Sequence, residues 1–280
     1  MITESDAQEL LESPDLLAIG VRADDVRRTL HGARTTFVRV FEMHVDALPG
    51  SVPPKTCAGE FRLVGRPASL EVAIAAVRAA VNLAGGVPVT GFSLADVLAL
   101  DGPSSLAGAY RALREAGLQA IADAPLDLLE NPGEAIALAR GAGLLVPRLT
   151  IHELRPADRV AMVHRARDLQ EAVGGILAFA PLPRVMSAAA PSTGYDDVKQ
   201  IALARIVAGN IDSIQVDWSL YGPKLAQFAL TTGANDLDGV AATDPGTLGT
   251  RRSPLEEIRG NIRSAALEPI ERNARFEAIG

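Results

Sequence analysis

Apolar positions along this chain recur with two periods, and the switches between them mark the elements. Residues 3–13 read as a short acidic helix with Leu10 and Leu11 on its buried side. Pro14 opens a second helix that runs to about Leu30, where Arg27 and Arg28 suit the carboxyl-terminal dipole. Thr35 to Val45 alternates with period two, with Phe37, Arg39 and Phe41 on one side and Val38, Val40 and Glu42 on the other, so it predicts a strand. Ser69 caps a helix to Leu83 whose apolar face is Leu70, Ile74, Val77 and Val81. Gly85 and Gly86 end it, and Pro88 to Phe92 is a strand. The alternation continues through a helix at Leu106–Glu115, a strand at Gly117–Ala122, a helix at Glu134–Gly141 and a strand at Leu144–Ile151. A helix at Asp158–Val173 and a strand at Ile176–Ala180 come next.

A further helix begins after Gly194, with Asp196 and Asp197 in its first turn, and Asn210 can end it. Ile211 to Trp218 reads as a strand with Ile214, Val216 and Trp218 on one side, and Pro223 opens a helix to about Leu230 that Gly233 stops. Asn235, Asp236 and Asp238 then crowd one polar loop. Residues 241–252 (AATDPGTLGTRR) predict a mobile loop, and residues 253–273 a helix with an extended end. Roughly six strand–helix pairs in strict alternation imply a parallel sheet with right-handed crossovers. The division expected is a helical extension over 1–33, a barrel over 34–240, and a loop with a helix over 241–280.

Composition narrows the class. With 48% apolar residues and few aromatics, the core of this 280-residue chain must be built from Ala, Leu, Val and Ile. A net charge of −7, and lysine only at Lys55, Lys199 and Lys224, argue against non-specific nucleic-acid binding. No window of about 20 residues is continuously apolar, so no membrane span is expected. The acidic, amphipathic start lacks a signal peptide's pattern, and the single cysteine, Cys57, excludes an internal disulfide; both fit a cytoplasmic protein.

Candidate chemistry is sparse. There is no P-loop, G-x-S-x-G, H-E-x-x-H or G-x-G-x-x-G. His152 and Glu153 follow a strand end, where they either line a site as an acid–base pair or cap the next helix. Asp217, Trp218, Tyr221 and Lys224 surround another strand end: Trp218 can stack on a planar ring while Asp217 and Lys224 orient polar groups, or Trp218 is core and Lys224 solvated. Asn235, Asp236 and Asp238 can bind hydroxyls or a cation, although acidic loops more often cap helices and a hard cation needs about six oxygens. His31 suits a helix end, His44 and Asp46 do not make a zinc site, and His164 belongs to a solvated helix face beside Arg165 and Arg167. Cys57 reads as a small hydrophobe in a loop.

Two long stretches carry a resemblance: residues 193–205 (TGYDDVKQIALAR) and 222–239 (GPKLAQFALTTGANDLDG). They resemble the carboxyl-terminal part of the radical SAM enzymes of the aminofutalosine synthase, dehypoxanthine futalosine cyclase and FO synthase group. Residues 10–32 (LLESPDLLAIGVRADDVRRTLHG) are similar to the helices that precede the barrel in that family. The resemblance implies an α/β fold, a TIM-like (β/α) barrel of the partial, open, six-stranded type. It also places His152 and Glu153 where the family has a similar G-H-x-E.

The cofactor half departs from the family. Where it carries C-x-x-x-C-x-x-C for a [4Fe–4S] cluster, this chain reads DALPGSVPPKTCAGEF, with Cys57 alone. Where many members have a glycine-rich stretch against SAM, it reads ADAPLDLLENPGEA; Gly85–Gly86 either corresponds to the family's Gly-Gly segment beside the SAM amino group or, the preferred reading, is an ordinary helix cap. The expectation is no cluster, no metal and no dependable SAM site. The partner is then a small-molecule pathway intermediate or an active radical SAM paralogue, with oligomeric state undetermined. The second reading is a cofactor-independent lyase or hydrolase acting on an enolpyruvyl-benzoate or futalosine-like substrate. In it His152 is the acid or base, tuned by Glu153.

Overall fold

The computed structural model describes residues 2–48, 50, 52, 56–100, 105–185, 191–244 and 254–279. In chain order the elements are α1 (Glu4–Glu12), α2 (Leu16–His31), β1 (Arg34–His44), β2 (Glu60–Val64), α3 (Leu70–Ala84), β3 (Val89–Ser93), α4 (Leu94–Leu98), α5 (Leu106–Glu115), β4 (Ala120–Pro125), α6 (Pro132–Gly141), β5 (Arg148–Ile151), α7 (Arg159–Val173), β6 (Ala178–Pro183), α8 (Gly194–Val207), β7 (Ser213–Asp217), α9 (Trp218–Leu230), β8 (Asp236–Ala241), α10 (Pro254–Ser264) and β9 (Glu268–Glu271).

β1 to β8 follow one another in sequence order, all parallel, and β1 pairs with both β8 and β2, which closes an eight-stranded barrel. The 11 residues of β1 make this possible. One edge carries β8; along the other, residues 40–44 pair with β2 and residues 34–37 with β9. The carboxyl-terminal segment therefore tucks in below β2 at the floor of the barrel. Gly59 permits this passage, since a Cβ there would meet the Arg272 carbonyl oxygen at 2.5 Å.

Helix boundaries follow local chemistry. Thr3 and Thr193 close capping boxes with Asp6 and Asp196, and Ser69 and Ser105 cap α3 and α5 through their hydroxyls. α9 breaks at Gly222 (φ 72°), and Pro223 opens its second segment as the sequence predicts. Strand residues turned toward the helices are apolar and buried, Phe61, Leu63, Ile214, Val216 and Leu237 among them. The opposite faces of the same strands point into the barrel and carry charge.

The barrel class is as expected, but it is closed with eight strands and not open with six. The two additional strands are β2 and β8, whose inward positions are charged and so hide the apolar run that marks a buried parallel strand. Asn235, Asp236 and Asp238 are accordingly not a loop: Asn235 precedes β8, and the two aspartates are successive inward positions on it. Trp218 does not extend its strand but begins α9, because the Asp217 carboxylate caps that helix by accepting from the Ser219 and Leu220 amides. The segment after residue 241 adds β9 to the expected helix. Most of the predicted 241–252 loop, residues 245–252, lies outside the described residues, as do 49, 51 and 53–55 of the β1–β2 connection.

Candidate functional site

The inward faces build three polar layers. At the floor, the Arg272 guanidinium donates to both Asp236 oxygens at 2.7 Å, and Thr36 and Gln215 donate to the same carboxylate at 2.5 Å. In the middle, Arg62 donates to both oxygens of Glu60 (2.7 and 2.8 Å) and both of Asp238 (3.0 and 2.8 Å). Arg148 also donates to Asp238 and lies 3.7 Å from Glu60, and Thr90 donates to Glu60 at 2.6 Å. Toward the mouth, Arg184 pairs with Asp217 at 2.5 Å and stands 3.8 Å from Asp238.

The upper two layers match three guanidiniums (Arg62, Arg148, Arg184) with three carboxylates (Glu60, Asp217, Asp238). Burial alone would raise the pKa of Glu60 and Asp238. Their arginine neighbours outweigh it and hold both acids below the usual carboxylate range. The interior is thus charged yet neutral, and a ligand cannot enter it without displacing an ion pair. Arg184 alone reaches upward, with its side chain 23% exposed against 7% for Arg62 and 3% for Arg148.

The mouth above Arg184 gathers further titratable groups. Asp123 on β4 lies within electrostatic reach of both Arg184 and Asp96. Asp96, in the first turn of α4, is half-buried, and burial pushes its carboxyl up despite the Ser93 amide, with Asp123 adding to the rise. His152 lies near enough to Asp96 to act on it electrostatically. Phe92, at the end of β3, adopts φ 58°, a conformation bulky residues avoid and one that recurs at functional sites.

The predicted site residues divide. His152 is half-buried at the mouth and Glu153 is exposed; the Asp127 carboxylate accepts from both their amides, at 2.6 and 2.8 Å, and fixes this turn. Asp217 reaches the mouth through Arg184. Trp218 packs half-buried against the core, and Tyr221 donates to the Pro183 carbonyl at 2.5 Å, its phenol pushed up by burial. Lys224 is exposed on α9. Asp236 and Asp238 are engaged by arginines inside the barrel, and Asn235 lies at its opposite end, accepting from Arg205 and from the Ile214 amide.

Glu60, Arg62, Arg148 and Arg184 were not among the residues the sequence suggested. EFRLV does show the period-two signal, with two charges on one face and Phe61 and Leu63 on the other. His164 is buried rather than solvated, because α1 and α6 cover its side of α7. Cys57 is exposed rather than a packed hydrophobe, and its amide donates to the Ala242 carbonyl. Gly85 is the left-handed cap of α3. Among the described residues no group of three or more His, Cys, Asp or Glu is placed to hold a metal ion, and no helix is long and apolar enough to cross a membrane. Grooves of about 620 and 640 Å³ lie between helices on the outside of the barrel.

Comparison with known proteins gives the same picture at a coarser level. Residues 178–279 match the family described as the CofH/MqnC C-terminal region. The chain is 31% identical over 165 residues to aminodeoxyfutalosine synthase of Streptomyces coelicolor, covering 51% of this chain and 43% of that protein. It is 30% identical over 165 residues to 5-amino-6-(D-ribitylamino)uracil–L-tyrosine 4-hydroxyphenyl transferase 1 of Methanosarcina barkeri, covering 52% and 44%. With aminodeoxyfutalosine synthase of Thermus thermophilus it shares 29% over 203 residues, covering 60% and 54%. The match thus spans about half the length of these relatives. Among solved structures, methylornithine synthase (PylB) superposes with a TM-score of 0.66 at 14% identity, covering 96% of this chain and 94% of that one. The hydrogenase maturase HydG of Carboxydothermus hydrogenoformans gives 0.66 at 13%, covering 98% and 77%, and at these identities the likeness is one of fold. Over about half its length the chain is thus similar to aminodeoxyfutalosine synthase and to the 4-hydroxyphenyl transferases, and its carboxyl-terminal part matches the family described as the CofH/MqnC C-terminal region.

Proposed function

We propose that this protein is a cluster-free homologue of the aminodeoxyfutalosine synthase group that binds a carboxylate-bearing intermediate of futalosine-dependent menaquinone synthesis at the barrel mouth, without radical chemistry. The observation that carries the reading is the contrast between the thiols and the guanidiniums. The β1–β2 connection, where the family resemblance places a [4Fe–4S] site, supplies Cys57 alone, and a cluster takes several thiolates. The donor set does not fit the cluster, so no step is derived through it. Meanwhile the barrel keeps a buried arginine stack whose uppermost member, Arg184, faces the mouth.

A carboxylate is the ligand this geometry suits. Arg184 is engaged by Asp217, and its partly exposed guanidinium keeps N–H groups, Nε among them, without a hydrogen-bond partner among the described residues. Trp218 and Tyr221 stand beside the same strand ends, next to where a ring would lie. The test is thermal shift and calorimetry with 3-[(1-carboxyvinyl)oxy]benzoate, futalosine, aminofutalosine and SAM. A ligand at a hundredfold excess over Kd raises stability by about 2.7 kcal/mol. Binding of the benzoate or a nucleoside, weakened about tenfold or more by Arg184→Gln, supports the reading. A cluster formed by anaerobic reconstitution, with turnover on SAM, would sink it.

A second reading has its own observation: Asp96, raised by burial, lies near His152 and Asp123 at the mouth. A carboxyl whose pKa is raised, beside an imidazole, is an acid–base pair fit for a cofactor-independent lyase or hydrolase. Turnover of an enolpyruvyl ether or futalosine that falls about a hundredfold in His152→Ala, with the fold retained, would favour it over binding alone.

A further inference from the structure

The opposite end of the barrel holds a second concavity, of about 340 Å³, within the size range of small-molecule sites. It lies among the carboxyl end of α2, the amino ends of β1, β7 and β8, and the segment after β9. In barrels this face ordinarily serves stability, and its charges are expected to pair. Most do: Arg272 is engaged by Asp236, and Arg205 donates to the Gly233 and Asp212 carbonyls and to the Asn235 side chain.

Two charges do not. Arg34 and the Asp212 carboxylate both line the cavity and both are exposed; neither forms an ion pair or a side-chain hydrogen bond with another described residue, although Asp212 lies within electrostatic reach of Arg205 and His31. Strand order explains why they do not meet. Asp212 precedes β7 and Arg34 opens β1, with β8 between them, so their backbones stand about 10 Å apart at the usual strand spacing. Arg34 shares its strand face with Thr36, which bonds Asp236 inside the barrel, and so hangs beneath the floor. Asn235 sits between them. Its side-chain oxygen accepts from the Ile214 amide at 2.9 Å and from Arg205, which fixes the amide and leaves Nδ2 as a donor without a partner among the described residues. Leu30 and Phe276 supply apolar wall. His31, also in the wall, has its pKa lowered by burial and by Arg205, with Asp212 opposing the shift.

A cation and an anion that face one small cavity without bonding to each other suit a molecule that carries both charges itself. We propose that the barrel floor is a second small-molecule site, for a zwitterionic metabolite of amino-acid size, with its carboxylate on Arg34 and Asn235 and its ammonium on Asp212. An apolar side chain on the ligand would lie toward Leu30 and Phe276. The site does not depend on what the mouth binds.

The experiment is calorimetry of the whole chain against the proteinogenic L-amino acids, with propionate and propylamine as single-charge controls. Arg34→Gln, Asp212→Asn and Arg184→Gln are measured alongside, with circular dichroism to confirm that each variant folds. The expected result is at least one amino acid binding with Kd below about 1 mM, and the controls binding at least about tenfold more weakly. That affinity should fall about tenfold or more in both Arg34→Gln and Asp212→Asn and stay unchanged in Arg184→Gln. No amino-acid binding by the folded wild type up to about 10 mM overturns the proposal. So does binding that survives both floor variants, or that Arg184→Gln abolishes while the floor variants leave it intact.

Discussion

At the scale of single residues, Asp238 is held from several sides at once. It is fully buried, accepts from Arg62 and Arg148, and lies below Arg184. Removing its charge without changing its shape leaves two guanidiniums buried with Glu60 as their remaining carboxylate. Asp238→Asn is therefore expected to cost about 3–5 kcal/mol, because breaking one side of a buried pair strands the other. Equilibrium denaturation in urea reads this directly. A loss under about 1 kcal/mol would mean that water reaches the middle layer and solvates the arginines. This residue is visible in the sequence as part of an acidic run, but its partners lie 176 and 90 positions away. Nothing local announces that it faces arginine instead of solvent.

At the scale of elements, β1 and the carboxyl-terminal segment decide how the barrel closes. The lower half of β1 takes β9 and the upper half takes β2, and the chain passes under β2 at Gly59. The atom that a Cβ at Gly59 would meet is backbone, so it cannot yield by rotating a side chain. Gly59→Ala should destabilise the fold by about 1–3 kcal/mol, the range for forced overpacking. Amide exchange at Arg272 and Ala274, which donate to the Phe37 and Gly59 carbonyls, should quicken in that variant. If exchange accelerated instead in the outer helices, the strain would be relieved elsewhere. Strand β2 was missed in the sequence for a related reason. A five-residue strand that buries a glutamate and an arginine looks like a polar connection until the barrel supplies their partners.

At the scale of the whole molecule, the layers make stability depend on pH in a defined direction. Glu60 and Asp238 titrate lower in the fold than in the unfolded chain, so the unfolded chain binds more protons on acidification. Their contribution is complete above the unfolded carboxylate pKa, about 4, and is lost as pH falls below it. His31 and His164 are also lowered, both chiefly by burial. They take up protons more readily unfolded, so they erode stability once pH drops below about 6.5. Thermal melts from neutral pH downward should show a shallow decline first and a steep one below about pH 4. A His31→Gln, His164→Gln double variant should remove the first phase and leave the second. A single steep fall near neutral pH would contradict this order.

The sequence by itself determined the helices, their caps and the alternation that demands a parallel sheet, since these follow from neighbours a few residues apart. Thr193 with Asp196, Ser69 with Val72, and Gly222 before Pro223 each fix a terminus locally. The family resemblance was likewise legible, in two stretches that the fold places around α8 and α9. Closure of the barrel, and which charged residues face inward, were decided only by the tertiary structure. Whether a carboxylate such as Asp236 meets water or a guanidinium depends on a strand register set across the whole chain. The same closure sent Asn235 to the floor and Asp217 to the mouth, although one immediately precedes β8 and the other ends the adjacent β7, because consecutive parallel strands start at one end of a barrel and finish at the other.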